Sequence, residues 1–99
     1  MNSVPYFSVK KVLRELDFKE APNAPNDWID FSHQEPYIRV LAPIKRVHVE
    51  YIYASTNTCP FDSKVPKGWE RVHGCEVMTV VKSEEDLRRK MRELIEFLK

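Results

Sequence analysis

Ninety-nine residues carry 42% hydrophobic side chains, 31% charged ones and a formal net charge of +1. That is enough for one domain over 1–99 with its own core, and 16 Lys and Arg against 15 Asp and Glu give no bulk reason to favour nucleic acid or an anionic membrane. The longest apolar runs fall far short of the roughly 20 residues that span a bilayer. The segment Met1 to Tyr6 lacks the basic flank and apolar core of a signal peptide, so a cytoplasmic, intracellular protein is expected.

Taken in chain order, Val9, Val12, Leu13 and Leu16 fall on one stripe of a 3.6-residue period and predict a helix over 8–18. Ser8 could cap it, or Ser3 could cap an earlier start with Pro5 in the first turn. The stretch 21–26, Ala-Pro-Asn-Ala-Pro-Asn, is a linker by composition. Trp28 to Ser32 alternates weakly. Tyr37 to Ala42 alternates clearly, with Ile38, Val40 and Ala42 on one face and Tyr37, Arg39 and Leu41 on the other.

Pro43 predicts a turn. Arg46 to Ala54 then reads as one strand, with Val47, Val49, Tyr51 and Tyr53 inward and Arg46, His48, Glu50 and Ile52 outward. Residues 55–71 show turn residues and no period, a long loop for a small domain. Val72 to Val81 is the last strand. At the end, Ser83 precedes three acids and the stripe Leu87, Met91, Leu94, Ile95 and Leu98. That is an N-cap, acids on the positive end of the helix dipole and an amphipathic helix.

The fold class expected from this order is α+β: a two-layer domain, with an antiparallel sheet of three to five strands and the N- and C-terminal helices packed on one face.

Motifs for chemistry are thin. His48-Val49-Glu50 opens a zinc-deaminase signature, but the P-C-x-x-C partner motif is missing. Cys59, His73 and Cys75 lack the tight paired spacing of zinc ligands. No Gly-rich phosphate loop and no nucleophile signature is present. The expectation is therefore no catalytic residue, no metal, no cofactor and no enzymatic activity. Two cysteines are too few for a disulfide scaffold. They read as free thiols in or near the core, with a bridge as the alternative, the more so in a hyperthermophile.

Two binding surfaces remain. Surplus apolar residues on outward faces mark Ile52, Leu94, Phe97 and Leu98 as an interface for a homo-oligomer or a protein partner. The alternative is nucleic acid. Residues 36–72 hold six bases and three acids, and Arg39, Lys45, Arg46, Lys64, Lys67 and Arg71 with Trp69 combine charge for phosphates with a ring for bases.

Seven prolines, two glycines, one glutamine and the high charge content suit a heat-stable protein. In these features the whole chain resembles the small α+β proteins of viruses that infect hyperthermophilic archaea. That resemblance implies a host cytoplasm, and because those proteins are mostly of unknown function it brings no site residues. The tail from Val77 through the Ser83-Glu84-Glu85-Asp86 cap to Leu94-Ile95 is similar to the close of a domain of unknown function found in predicted transport proteins.

Overall fold

A computed structural model describes residues 3–99. The elements run β1 (Val4–Pro5), α1 (Tyr6–Glu15), β2 (Lys19–Glu20), β3 (Trp28–Gln34), β4 (Tyr37–Pro43), β5 (His48–Val49), β6 (Tyr51–Ser55), β7 (Glu70–His73), β8 (Glu76–Val80) and α2 (Glu84–Leu98). Six strands form an antiparallel sheet in the order β2-β3-β4-β6-β8-β7, and β1 pairs with β5 in a separate two-stranded sheet. The expected fold class does not hold. In place of one sheet of three to five strands there are a six-stranded sheet and a second, smaller one, so strands dominate and two helices stand at the chain ends.

The C-terminal helix forms where its cap and stripe require. The Asp86 N–H donates to Ser83 Oγ at 3.0 Å, satisfying one of the free donors of the first turn. Leu87, Met91 and Leu94 are fully buried. The first helix starts two residues earlier than its stripe suggests and has no side-chain cap; Pro5 stands at the N-cap, and the Tyr6 N–H donates to Val47 O at 2.9 Å. Arg88 ties the helices together, with Nε 2.9 Å from Glu15 and an amino group 3.2 Å from Glu84. Lys11 reaches Glu84 at 2.8 Å.

The expected strand 46–54 is two strands. Lys45 and His48 exchange hydrogen bonds of 2.8 and 2.9 Å across a tight turn. Arg46 and Val47 sit there at φ 49° and 65°, a backbone region a β-branched residue rarely enters. His48 and Val49 pair with β1, the chain breaks at Glu50, and Tyr51 to Ser55 joins the main sheet. One residue of slip flips every later side chain to the other face. Val49 is therefore buried from one sheet, while Ile52 and Ala54 are buried from the other. Tyr51 and Tyr53 face outward, and Val47 is exposed at the turn.

The loop 56–69 also belongs to the core. Phe61 is buried and stacks on Phe97, with ring centroids 5.8 Å apart. Trp69 is buried and its Nε1–H donates to Lys90 O at 2.9 Å. Cys59 and Cys75 are joined in a disulfide, correcting the reading as free core thiols. Cys59 is exposed and Cys75 half-buried. The bridge closes the loop onto the β7–β8 turn, where the Phe61 N–H donates to Gly74 O at 3.0 Å. A Cβ at Gly74 would meet the carboxylate end of the exposed Asp62 side chain, which would have to swing aside.

Candidate functional site

The residues expected to form an interface do not form one patch. Ile52 and Leu94 are fully buried in the core. Phe97 and Leu98 are half-buried and packed against it, Phe97 through its stacking on Phe61. What looked like surplus apolar surface closes the core around a loop that sequence periodicity cannot place.

The residues expected to contact nucleic acid are scattered and mostly engaged. Arg39 is held by both oxygens of Asp30, at 3.1 and 2.9 Å, and these bonds raise its already high pKa. Lys45 lies 3.6 Å from Glu50 and over the Tyr51 ring. Arg71 reaches Asp62 O at 3.2 Å and its carboxylate at 3.8 Å. Arg46 is exposed on the β-turn, and Lys64 and Lys67 on the loop. Trp69 is buried and cannot stack on a base. The segment 36–72 has a positive sum in sequence, but its charges are distributed over separate elements, three of them paired with acids.

The polar motifs are likewise consumed locally. His48 shares its Nδ1 with Arg46 O at 3.0 Å, and His73 Nδ1 accepts the Cys75 N–H at 3.2 Å. Among the described residues no group of three or more His, Cys, Asp or Glu side chains is arranged to hold a metal. No helix among them is long and apolar enough to cross a membrane.

The surface that stands out is the open face of the six-stranded sheet. Its inner face is covered: Ile29, Phe31, Ile38, Val40, Ile52 and Val77 are fully buried. Among the described residues the helices turn their buried stripes to the core, and Leu41, Tyr51, Tyr53 and Met78 on the outer face are half-buried. The register carries one row across five strands, Asp30–Leu41–Tyr53–Met78–Glu70, and a second row pairs Tyr51 with Val80. Tyr51 and Tyr53 meet edge to face, 5.6 Å between centroids. Trp28 is 39% exposed, Tyr37 37% and Val80 45%. The Asp30–Arg39 pair lies in the midst of these side chains and is internally neutral, and Glu70 stands at the end of the row.

Half of this face was legible. The alternation in Tyr37 to Ala42 puts Tyr37, Arg39 and Leu41 together on one face, while the weaker alternation from Trp28 assigns that indole no face. Tyr51 and Tyr53 were missed because the break at Glu50 leaves no trace in a period-two pattern.

Comparison with protein-family models, with curated proteins and with solved structures returns no match for this chain.

Proposed function

We propose that the protein acts by binding rather than catalysis, as a heat-stable intracellular module that self-associates through the open face of its six-stranded sheet. The observation that carries this reading is the half-buried row of Leu41, Tyr53 and Met78 beside Tyr51, with the exposed Trp28 and Val80 around it. A sheet that buries one face and leaves the other apolar is incomplete as a monomer.

The extent of the face and the pairing of Arg39 are compatible with a second copy as the partner. Strands about 4.8 Å apart and up to seven residues long make a face on the order of 500 Å² in flat projection. A standard interface removes about 800 Å² of accessible surface per partner, so such an interface needs the whole of this face. Arg39 is matched by Asp30 here, so the basic group in the midst of the face does not repel its copy. The same pairing disfavours nucleic acid, whose binding begins with phosphate neutralisation by free basic groups.

The test is sedimentation velocity on the wild type and on Tyr53→Lys, with circular dichroism to show that both fold. A dimer at micromolar concentration that Tyr53→Lys converts to monomer supports the reading. A protein that stays monomeric at millimolar concentration overturns it. A monomer that retards single-stranded DNA at low salt and releases it as salt rises overturns it in favour of the nucleic-acid alternative.

A further inference from the structure

We propose that the corner where the 45–48 turn meets the start of α1 docks reversibly on an anionic lipid surface. Phe7 and Val47 enter the headgroup layer, and the concavity beside them takes a lipid phosphate. This corner is built from β1, β5 and α1 and not from the six-stranded sheet, so the inference does not depend on self-association.

The turn is the anomaly of the backbone. Lys45 and His48 close a two-residue hairpin loop. Its central residues, Arg46 and Val47, both stand at positive φ, 49° and 65°. Such loops ordinarily use Asn-Gly, because few side chains enter that region without a clash. A β-branched residue is a poor choice for it. The Val47 side chain gives the core nothing in exchange, since it is 55% exposed. Strain of this kind persists where surrounding contacts fix it, and it gathers at functional sites. The fixing contacts here are the two Lys45–His48 bonds, the bond of His48 Nδ1–H to Arg46 O at 3.0 Å, and that of Tyr6 N–H to Val47 O at 2.9 Å.

The last bond sets the turn against the start of α1. Phe7 follows Tyr6 there and is 62% exposed. Phe7 and Val47 are the two most exposed large apolar side chains among the described residues, and the tertiary structure brings them to one corner.

The chemistry around them is basic. A concavity of about 630 Å³ is lined by Ser3, Lys45, Arg46, His48 and Glu50. Arg46 is exposed, and Lys45 shares only a loose, exposed contact of 3.6 Å with Glu50, a pair that water and salt screen. Glu50 is the one acid in the lining, and the first turn of α1 carries none. Lys10 and Lys11, one turn beyond Phe7, are held by Glu20 and Glu84 and do not add to the basic charge. The Ser3 hydroxyl and the Lys45 and Arg46 side chains are donors suited to phosphate oxygens.

This combination selects a lipid surface. A folded partner would need a fitted hole for each protruding side chain. A headgroup layer closes around any shape, and an anionic leaflet adds a negative surface potential. Two partly inserted side chains bind weakly by themselves, so attachment requires the basic groups as well and weakens as salt rises.

The test is flotation with vesicles of phosphatidylglycerol and phosphatidylcholine in equal parts, against phosphatidylcholine alone. The wild type should float with the anionic vesicles at low salt and not with the neutral ones. Arg46→Glu should weaken binding about fivefold or more, and Phe7→Ser about tenfold. Val47→Gly separates function from folding: it relieves the turn, so it should melt at least as high as the wild type, yet it should also bind about tenfold more weakly. A wild type that stays off anionic vesicles at low salt overturns the inference. So does undiminished flotation of both Val47→Gly and Phe7→Ser; if Tyr53→Ser abolishes flotation in that case, the lipid contact is the open sheet face. If the Phe7 and Val47 variants instead dissociate a wild-type dimer, the corner joins two copies and the lipid inference is overturned.

Discussion

Removing the Cys59–Cys75 bridge should cost this protein about 3 kcal/mol. The cysteines are 16 residues apart in sequence, and closing a loop of that length in the unfolded chain removes about 10 cal/mol/K of entropy, or about 3 kcal/mol at 25 °C. The native contacts around the bridge do not depend on it. The Phe61 N–H still meets Gly74 O, the Thr56 N–H still meets Cys75 O, and Arg71 still reaches Asp62. The loss therefore falls on the unfolded state, and the fold itself should persist. For a domain of this size each kcal/mol shifts the melting temperature by about 4–5 °C, so the whole effect is about 12–15 °C.

The assay is a pair of thermal and urea melts, one on the oxidised wild type and one on Cys59→Ser/Cys75→Ser. The oxidised form should unfold above the roughly 45–65 °C range of mesophile domains, and wild type with dithiothreitol should superimpose on the double variant. A double variant within about half a kcal/mol of the wild type would refute the loop-entropy argument. So would a reduced wild type that melts apart from the double variant, since the two chains would then differ by more than the bond.

Three further outcomes follow from the packing and the ion pairs. Leu94→Ala should cost about 2–5 kcal/mol in a urea titration, because Leu94 is fully buried beneath the sheet; a loss under about half a kcal/mol would mean the helix stripe is not in the core. Stability should fall in acid: the bond to Lys11 holds the Glu84 carboxyl below its ordinary value. Burial pushes Asp86 up, but contacts with Lys90 and Arg89 outweigh it and hold it below as well. Both carboxyls then bind fewer protons folded than unfolded, so their contribution is complete above about pH 5.5 and disappears as pH falls through the lower folded values; Asp86→Asn should flatten that decline, and an unchanged acid limb would show that the Asp86 contacts contribute nothing. Lys90→Ala should loosen the β7 end of the sheet, because its Nζ reaches Val80 O at 3.0 Å and Asp86 at 2.9 Å; amide exchange at Trp69 and Glu70 should quicken before that of β3 and β4, and uniform quickening would refute a local role.

Sequence alone was decisive where the determining contacts are near in the chain. The Ser83 cap and the Leu87–Met91–Leu94 stripe specify α2, because a cap acts within one turn and a stripe within three or four residues. The Ile38–Val40–Ala42 alternation specifies which way β4 faces for the same reason. Tertiary structure decided the rest through pairings far apart in sequence. Val4 meets Val49 and draws β5 out of the main sheet. That breaks the apparent strand 46–54 at Glu50, buries Ile52 and turns Tyr53 outward. Phe61 and Trp69 enter the core from a loop with no periodicity because Phe97 and the Lys90 carbonyl receive them there. Whether Cys59 finds Cys75 depends on the β7–β8 hairpin that brings them together. The open face follows from the same distant pairings: alternation shows which side chains leave a strand together, but only the order β2-β3-β4-β6-β8-β7 sets Leu41, Tyr53 and Met78 side by side.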